Sequence, residues 1–321
     1  MTQKDTNPFR YSDSNKRYHT YDYYLRTCFS GKCAKIPLDP GFTCPNIDGK
    51  CGIGGCIYCS AGSSGSLETK GLPISEQYRI GREKLSSKWS TARTIPYLQA
   101  HTNTYAPLDK LKEIYEEVLS LDGMVGMNIA TRADCISDEI AEYLACIAER
   151  THLTVELGLQ SVHDRTAEII NRGHTYADFL EGYNRLRLAN DKIKICVHLI
   201  FGLPGESKEM MLESVRSVAS LRPDQIKFHY LFVTRGTVLA SMYEAGEYTP
   251  ITRDEYINTV CDAIELLPPE TVVGRLTGDA ERDELIAPTW GIKKVALIND
   301  IDKMLFERSS YQGKYFIDTA K

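Results

Sequence analysis

Four cysteines and four glycines crowd into sixteen residues, Cys44-Pro-Asn-Ile-Asp-Gly-Lys-Cys51-Gly-Ile-Gly-Gly-Cys56-Ile-Tyr-Cys59. Thiolates are soft ligands suited to iron–sulfur clusters or zinc. Glycines let a backbone take positive φ and wrap closely around a ligand. The stretch reads as a loop around a metal centre, and three centres compete for it. Structural zinc sites usually show two C-x-x-C knuckles. Only Cys56-x-x-Cys59 is one, so Cys28 and Cys33 would have to form a looser second half. A plant-type ferredoxin matches through Cys51-x4-Cys56-x2-Cys59, but the next cysteine is Cys135, beyond a strand and a helix. A cluster on three protein thiolates leaves one iron open to a small molecule, as the open position of a catalytic zinc site does.

Other polar residues stand where a chemical site collects, at the carboxyl ends of strands. Gln99, Thr102 and Asn103 end the second strand, a generic ligand or turn signal. Arg132 ends the third; it suits a bidentate clamp on a carboxylate or an Arg–Asp surface pair with Asp134. Glu156 lies inside the apolar strand Thr154–Leu159, where an unpaired carboxylate is costly, so it needs a partner or a ligand. His174 reads equally as a helix-cap residue. The run from His198 through Gly202-Leu-Pro-Gly205 is a strand turning tightly into a helix. Lys227, His229 and Tyr230 alternate along the next strand and face the interior of any barrel built from it. Cys135, Cys146, Cys196 and Cys261 read as buried small hydrophobes.

The elements that must position these residues alternate. Strands are expected at 36–38, 95–100, 125–130, 154–159, 193–201, 225–233 and 272–276. Helices are expected at 107–122, from a Ser137 cap through 148, and over 162–170, 176–189, 208–221, 238–245 and 253–267. Apolar strands alternating with helices imply a parallel sheet covered by helices, either doubly wound or closed as a barrel. Three regions follow: an arm over 1–35, an α/β body over 36–277, and an extension over 278–321 with weaker periodicity.

The chain of 321 residues has room for a large core, with 42% hydrophobic and 25% charged residues as in ordinary globular proteins. The net charge of −5 is uneven. Residues 1–35 hold seven Lys or Arg against three Asp, a charge of +4, which leaves −9 for the rest. Tyr11, Tyr18, Tyr21, Tyr23, Tyr24 and Phe29 are interleaved with those cations. This composition suits single-stranded nucleic acid, although tyrosines packed on the body explain it at least as well. The longest apolar runs are too short to span a bilayer. The first residues lack the apolar region of a secretory signal, so a reducing cytoplasm is expected, with metal binding rather than disulfides.

The cysteine loop, entered through Gly41-Phe-Thr-Cys44, and the distant Gly202-Leu-Pro-Gly205 turn resemble those of radical S-adenosylmethionine (SAM) proteins. The similarity is to the branch containing the Elongator catalytic subunit and its short bacterial relatives of the MnmL/YhcC type, and it covers nearly the whole chain. The resemblance implies a partial (β/α)6 barrel with an N-terminal arm and a small C-terminal extension. It implies a 4Fe-4S cluster on Cys44, Cys56 and Cys59, with Cys51 a passenger. Cys51 departs from the family pattern and leaves Cys51-Cys56-Cys59 as an alternative set; were all four to bind, the open iron would be lost. Tyr58, Gln99, Thr102, Asn103, Glu156, Gln160 and Gly202 would then face SAM, and Arg172 would meet the SAM carboxylate. Arg132 or Lys227 would hold a carboxylate of the substrate. The implied function is radical chemistry on a wobble-uridine side chain of tRNA, converting 5-carboxymethylaminomethyl-uridine to 5-aminomethyl-uridine with electrons from a flavodoxin or ferredoxin. Radical SAM chemistry on a free metabolite, or a non-catalytic iron–sulfur or zinc protein that binds tRNA, are the alternatives.

Overall fold

Short apolar strands joined by amphipathic helices can bury both strand faces only if the helices cover the sheet. The computed structural model, which describes residues 7–59, 69–89, 93–99, 101–278, 283–291 and 293–318, is built in that way. Its elements run α1 (Tyr21–Phe29), β1 (Cys33–Leu38), α2 (Ile74–Ser86), β2 (Arg93–Leu98), α3 (Leu108–Leu119), β3 (Gly126–Thr131), α4 (Asp138–Arg150) and β4 (His152–Gln160). They continue with α5 (Asp164–Ile169), α6 (Tyr176–Ala189), β5 (Lys194–Phe201), α7 (Lys208–Ser220), β6 (Gln225–Tyr230), β7 (Val233–Thr234), α8 (Val238–Glu244), α9 (Arg253–Leu266), β8 (Val272–Arg275), β9 (Leu285–Ala287) and α10 (Lys294–Glu307).

Seven strands form one sheet in the order β1-β2-β3-β4-β5-β6-β8, every neighbouring pair parallel. The sheet curls into a half-barrel. All seven segments read as strands belong to it, one more than the six of the expected (β/α)6 arrangement. Helix starts follow their caps. Ser137 accepts from Ile140 N ahead of α4, and Thr175 and Asp178 form a capping box at α6.

The differences are local. The run expected at 225–233 stops at Tyr230, and Val233–Thr234 pairs antiparallel with β9 instead. Helix α2 has few buried residues (Ile74, Gln77 and Tyr78), so its apolar stripe is too sparse to read from periodicity. The extension contains α10, whose Leu297, Ile301 and Leu305 are buried. The arm is built into the body. Tyr18 is buried, Tyr24 Oη lies 3.2 Å from His152 Nε2, and the Tyr21 ring stacks 4.7 Å from Lys35 Nζ. Its cations are paired as well: Arg10 with Glu270, Lys16 with Asp302, Arg26 with Asp13 and Asp22, and Lys32 with Asp22. Packed tyrosines therefore account for the arm's composition; Lys4 and Asp5 lie outside the described residues. No helix among the described residues is long and apolar enough to cross a membrane.

Candidate active site

The cysteine loop follows β1. Gly54 and Gly55 take φ of 84° and 75°, left-handed values that a side chain resists, and so turn the chain between Cys51 and Cys56. Asn171, just after α5, anchors the turn by donating from Nδ2 to Ile53 O and Gly55 O at 3.1 and 2.6 Å. This geometry sends Cys44, Cys56 and Cys59 to one cleft of about 820 Å³ at the carboxyl end of the strands. Thr102 Oγ1 lies 2.9 Å from Cys44 Sγ, and Asn46 Nδ2 donates to Cys56 Sγ at 3.4 Å. The bond from Cys59, helped by Asn46 and Tyr58, lowers the Cys56 thiol to about 6 against the opposing effect of burial. This draws Cys56 toward the thiolate, the form that binds a metal, whereas burial pushes the Cys44 thiol up. Three sulfurs on one wall, supported by polar donors, fit an iron–sulfur cluster. Cys51 does not line the cleft. Its Sγ lies 3.6 Å from Arg132 Nη2, and a Cβ on Gly173 would come within 3.2 Å of it.

Deeper in the half-barrel the strands carry a polar ring where a closed barrel has an apolar core. Each of the seven strands supplies one member: Lys35, Tyr97, Asn128, Glu156, His198, Lys227 and Arg275. Glu156, fully buried, is the hub. Its Oε1 accepts from Lys35 Nζ at 2.7 Å and Asn128 Nδ2 at 2.8 Å. Its Oε2 accepts from Tyr97 Oη at 2.7 Å and from Lys227 Nζ, and lies 3.0 Å from His198 Nε2. Burial raises the Glu156 carboxyl, but Lys227, Lys35 and His198 outweigh it and hold it well below the usual carboxylate range. Burial likewise opposes the charge of Lys35, yet Glu156 keeps its pKa above the usual lysine range. Lys227 receives less of that compensation. Burial first, with Lys35 and Arg275 adding, brings it down to about 8 despite Glu156. Burial, then Lys227, lowers His198 to about 4. Glu156, Cys196 and His198 bring ligand atoms within 4.8 Å of one another. Two ammonium groups already hold that carboxylate, which disfavours a cation there.

Two arginines brace the rim. Arg172 donates from Nη1 to Leu159 O and Ser161 O and from Nε and Nη2 to His174 O. Its guanidinium thus braces backbone carbonyls, and the residue also lines the cleft in which it is expected to meet the SAM carboxylate. Arg132 pairs bidentately with Asp134 at 3.0 and 2.8 Å and donates to Arg172 O and Gly173 O. The Arg–Asp pair is the alternative weighed for Arg132, except that the residue is only 8% exposed and so belongs to no open surface. His174 is buried beside them, and burial lowers its pKa to about 2.

The cleft therefore gathers Cys44, Cys56, Tyr58, Cys59, Gln99, Thr102, Arg132, Glu156, Gln160, Arg172 and Lys227. Two expected members stand elsewhere. Asn103 turns inward and donates from Nδ2 to Ala130 O at 2.8 Å, structuring the turn after β2. Gly202, at φ 82°, packs against Ile251, which a Cβ would approach to 3.0 Å. Sequence reasoning missed Lys35, Tyr97, Asn128 and Arg275. The signal that exposed Glu156, a polar residue inside an apolar strand, marks Lys35 and Asn128 as well, but Lys35 is masked by the basic arm it adjoins.

Comparison with known proteins places the chain in a family. Residues 49–218 match the model of the radical SAM superfamily, and residues 223–307 that of the radical SAM C-terminal domain. The uncharacterized protein YtqA of Bacillus subtilis is 45% identical over 97% of this chain and 96% of its own length. A tRNA uridine(34) acetyltransferase of Methanocaldococcus infernus is 26% identical over 76% of this chain and 52% of its own, so the chain spans about half of that protein. The solved structure of Methanocaldococcus infernus Elp3 with an N-terminal deletion has the same fold, with a TM-score of 0.65 and 18% identity over 88% of this chain and 64% of that one.

Proposed function

The chain belongs to the radical SAM superfamily and is an enzyme that uses a 4Fe-4S cluster and SAM; on that premise we propose that it modifies a wobble-uridine side chain of tRNA, converting 5-carboxymethylaminomethyl-uridine to 5-aminomethyl-uridine. When bound, the cluster and SAM together supply a carbon radical able to remove a hydrogen atom from an unactivated C–H bond. The observation that carries the reading is a single cleft joining three thiolates at its mouth to a cationic floor. The likeness to the archaeal tRNA uridine(34) acetyltransferase supports tRNA as substrate. Among the described residues of the arm, Arg10, Lys16, Arg26 and Lys32 are each paired with a carboxylate.

In this reading Cys44, Cys56 and Cys59 hold the cluster and Cys51 is spare. Tyr58, Gln99, Thr102 and Gln160 border SAM. Gln160, at φ 69°, is held over Gly158, where a Cβ would meet its amide at 2.8 Å. Arg172 braces the segments around that space, which it also lines, and meets the SAM carboxylate in this reading. The substrate loses one hydrogen atom from the carbon between amine and carboxylate. A one-electron carrier of the ferredoxin or flavodoxin class takes the second electron, a proton leaves, and water splits the resulting imine into the primary amine and glyoxylate.

Three measurements test this. Anaerobic reconstitution with SAM and a reductant is expected to yield 5′-deoxyadenosine; none, despite a filled cluster, removes the radical reading. Cys44→Ala is expected to lose the cluster absorbance and the product, and Cys51→Ala to retain both. Mass spectrometry of tRNA nucleosides from a deletion strain is expected to show the carboxymethylaminomethyl form accumulating. An unchanged profile beside active SAM cleavage points to a free metabolite instead.

A further inference from the structure

On the floor of the cleft one buried carboxylate, Glu156, serves two ammonium groups. These are Lys227, which is buried, and Lys35, which is half-buried; Arg275, across the β6–β8 register from Lys227, and Glu284 line the same cleft and have partners of their own. A carboxylate offers about four lone-pair positions. Glu156 already meets five polar groups: Lys35, Asn128, Tyr97, Lys227 and His198. Lys227 carries three N–H donors and finds one acceptor, Glu156, among the described residues. His229 lies on the same wall, its ring centroid 5.5 Å from that of His198. Its Nε2 is buried without a hydrogen-bond partner among the described residues. An orphaned ring nitrogen beside an under-satisfied ammonium marks space for a polar ligand rather than a finished core.

Position separates this space from the rim. Glu156 precedes Gln160 by four residues on β4, roughly 13 Å at the rise of an extended strand. Ala130 pairs with Glu156, so Arg132 follows two residues above the floor, just past the end of β3, and Gln160 four residues above it on β4. Arg132 is spent on Asp134 and two backbone carbonyls, whereas Lys227 faces the lumen with donors to spare.

We propose that this floor is the receptor for a carboxylate at the end of the substrate, bound by Lys227 with Lys35 and His229, and that Arg132 is not. One added carboxylate matches the two ammonium groups with two anions and offers an acceptor to Lys227 and a partner to His229. The wobble-uridine reading supplies only the identity of the group that bears the carboxylate; any substrate ending in one would reach the same floor.

The test uses the cluster-loaded enzyme saturated with SAM, without reductant, so that the amino-acid end of SAM already fills its own place. The probe is sarcosine, a carboxymethylamino fragment, titrated calorimetrically beside its neutral amide. Sarcosine is expected to bind at least about tenfold more tightly than the amide, the scale of one charge-assisted hydrogen bond. Lys227→Met is expected to weaken sarcosine about 10- to 100-fold and to erase the preference, while Lys227→Arg, which keeps the charge, retains it. Equal binding of acid and amide, no binding of sarcosine by the wild type, or a preference that survives Lys227→Met overturns the proposal. A melting curve of Lys227→Met shows that it is folded, and Lys227→Arg carries the comparison if it is not. Sarcosine preference together with an unchanged tRNA nucleoside profile keeps the receptor and removes the wobble-uridine reading. The reverse result keeps that reading and removes the receptor.

Discussion

Glu156 shows how far one residue organises its surroundings. A buried carboxylate is tolerable only with charge-assisted partners, and this one draws groups from β1, β2, β3, β5 and β6 into one network. Its folded-state pKa lies well below the ordinary value, held there by Lys227 and Lys35 against burial. Below about pH 4.3 the unfolded chain takes up this proton while the folded protein does not. The stabilisation is therefore complete above about pH 5 and is lost as pH falls through the folded pKa. Glu156→Gln leaves the buried Lys227 and the half-buried Lys35 without their shared counter-charge and is expected to cost about 3–5 kcal/mol at pH 7. Denaturant titrations at several pH values check both points, since the variant should lose less stability than the wild type between pH 5 and pH 3.

Among the elements, α6 is placed by close backbone approach as well as by side-chain burial. A Cβ on Gly182 would lie 2.1 Å from Ala133 O, so the helix rests on the turn that carries Arg132. Backbone there has no means of yielding, unlike a flexible side chain. Gly182→Ala is expected to destabilise by about 1–3 kcal/mol and to lower the melting temperature. Gly31→Ala, where nothing lies within 4 Å, is the contrast and should change it little. This scale also shows why periodicity served unevenly. It located α6 to the residue, because Thr175 caps it and Phe179, Tyr183 and Leu186 mark its buried face. It missed α2, whose few buried positions form no continuous stripe.

Across the whole molecule, the two ends of the chain finish the half-barrel. Gln312 accepts from His19 N at 2.8 Å and donates to Pro268 O and Thr271 O at 2.7 and 2.8 Å, tying the arm to the segment before β8. Helix α10 lies on α9 with Ile301 fully buried. Ile301→Ala is expected to cost about 2–5 kcal/mol through lost burial and a residual cavity, read as a shift in the denaturation midpoint. A negligible shift would mean that this helix is dispensable to the body. The amino-acid sequence by itself determined what short-range chemistry can express: a glycine-rich thiolate loop, the alternation of strand and helix, and the need of Glu156 for a partner. Only the tertiary structure decided which partners answer that need, because Lys35 and Lys227 stand 121 and 71 residues away from it. Only the fold, likewise, turns Cys51 toward Arg132 while Cys44, Cys56 and Cys59 share the cleft. The physical reason is the same in both cases. Ion pairs and ligand sets depend on distances of a few ångström, and local periodicity carries no information about contacts between strands far apart in the chain.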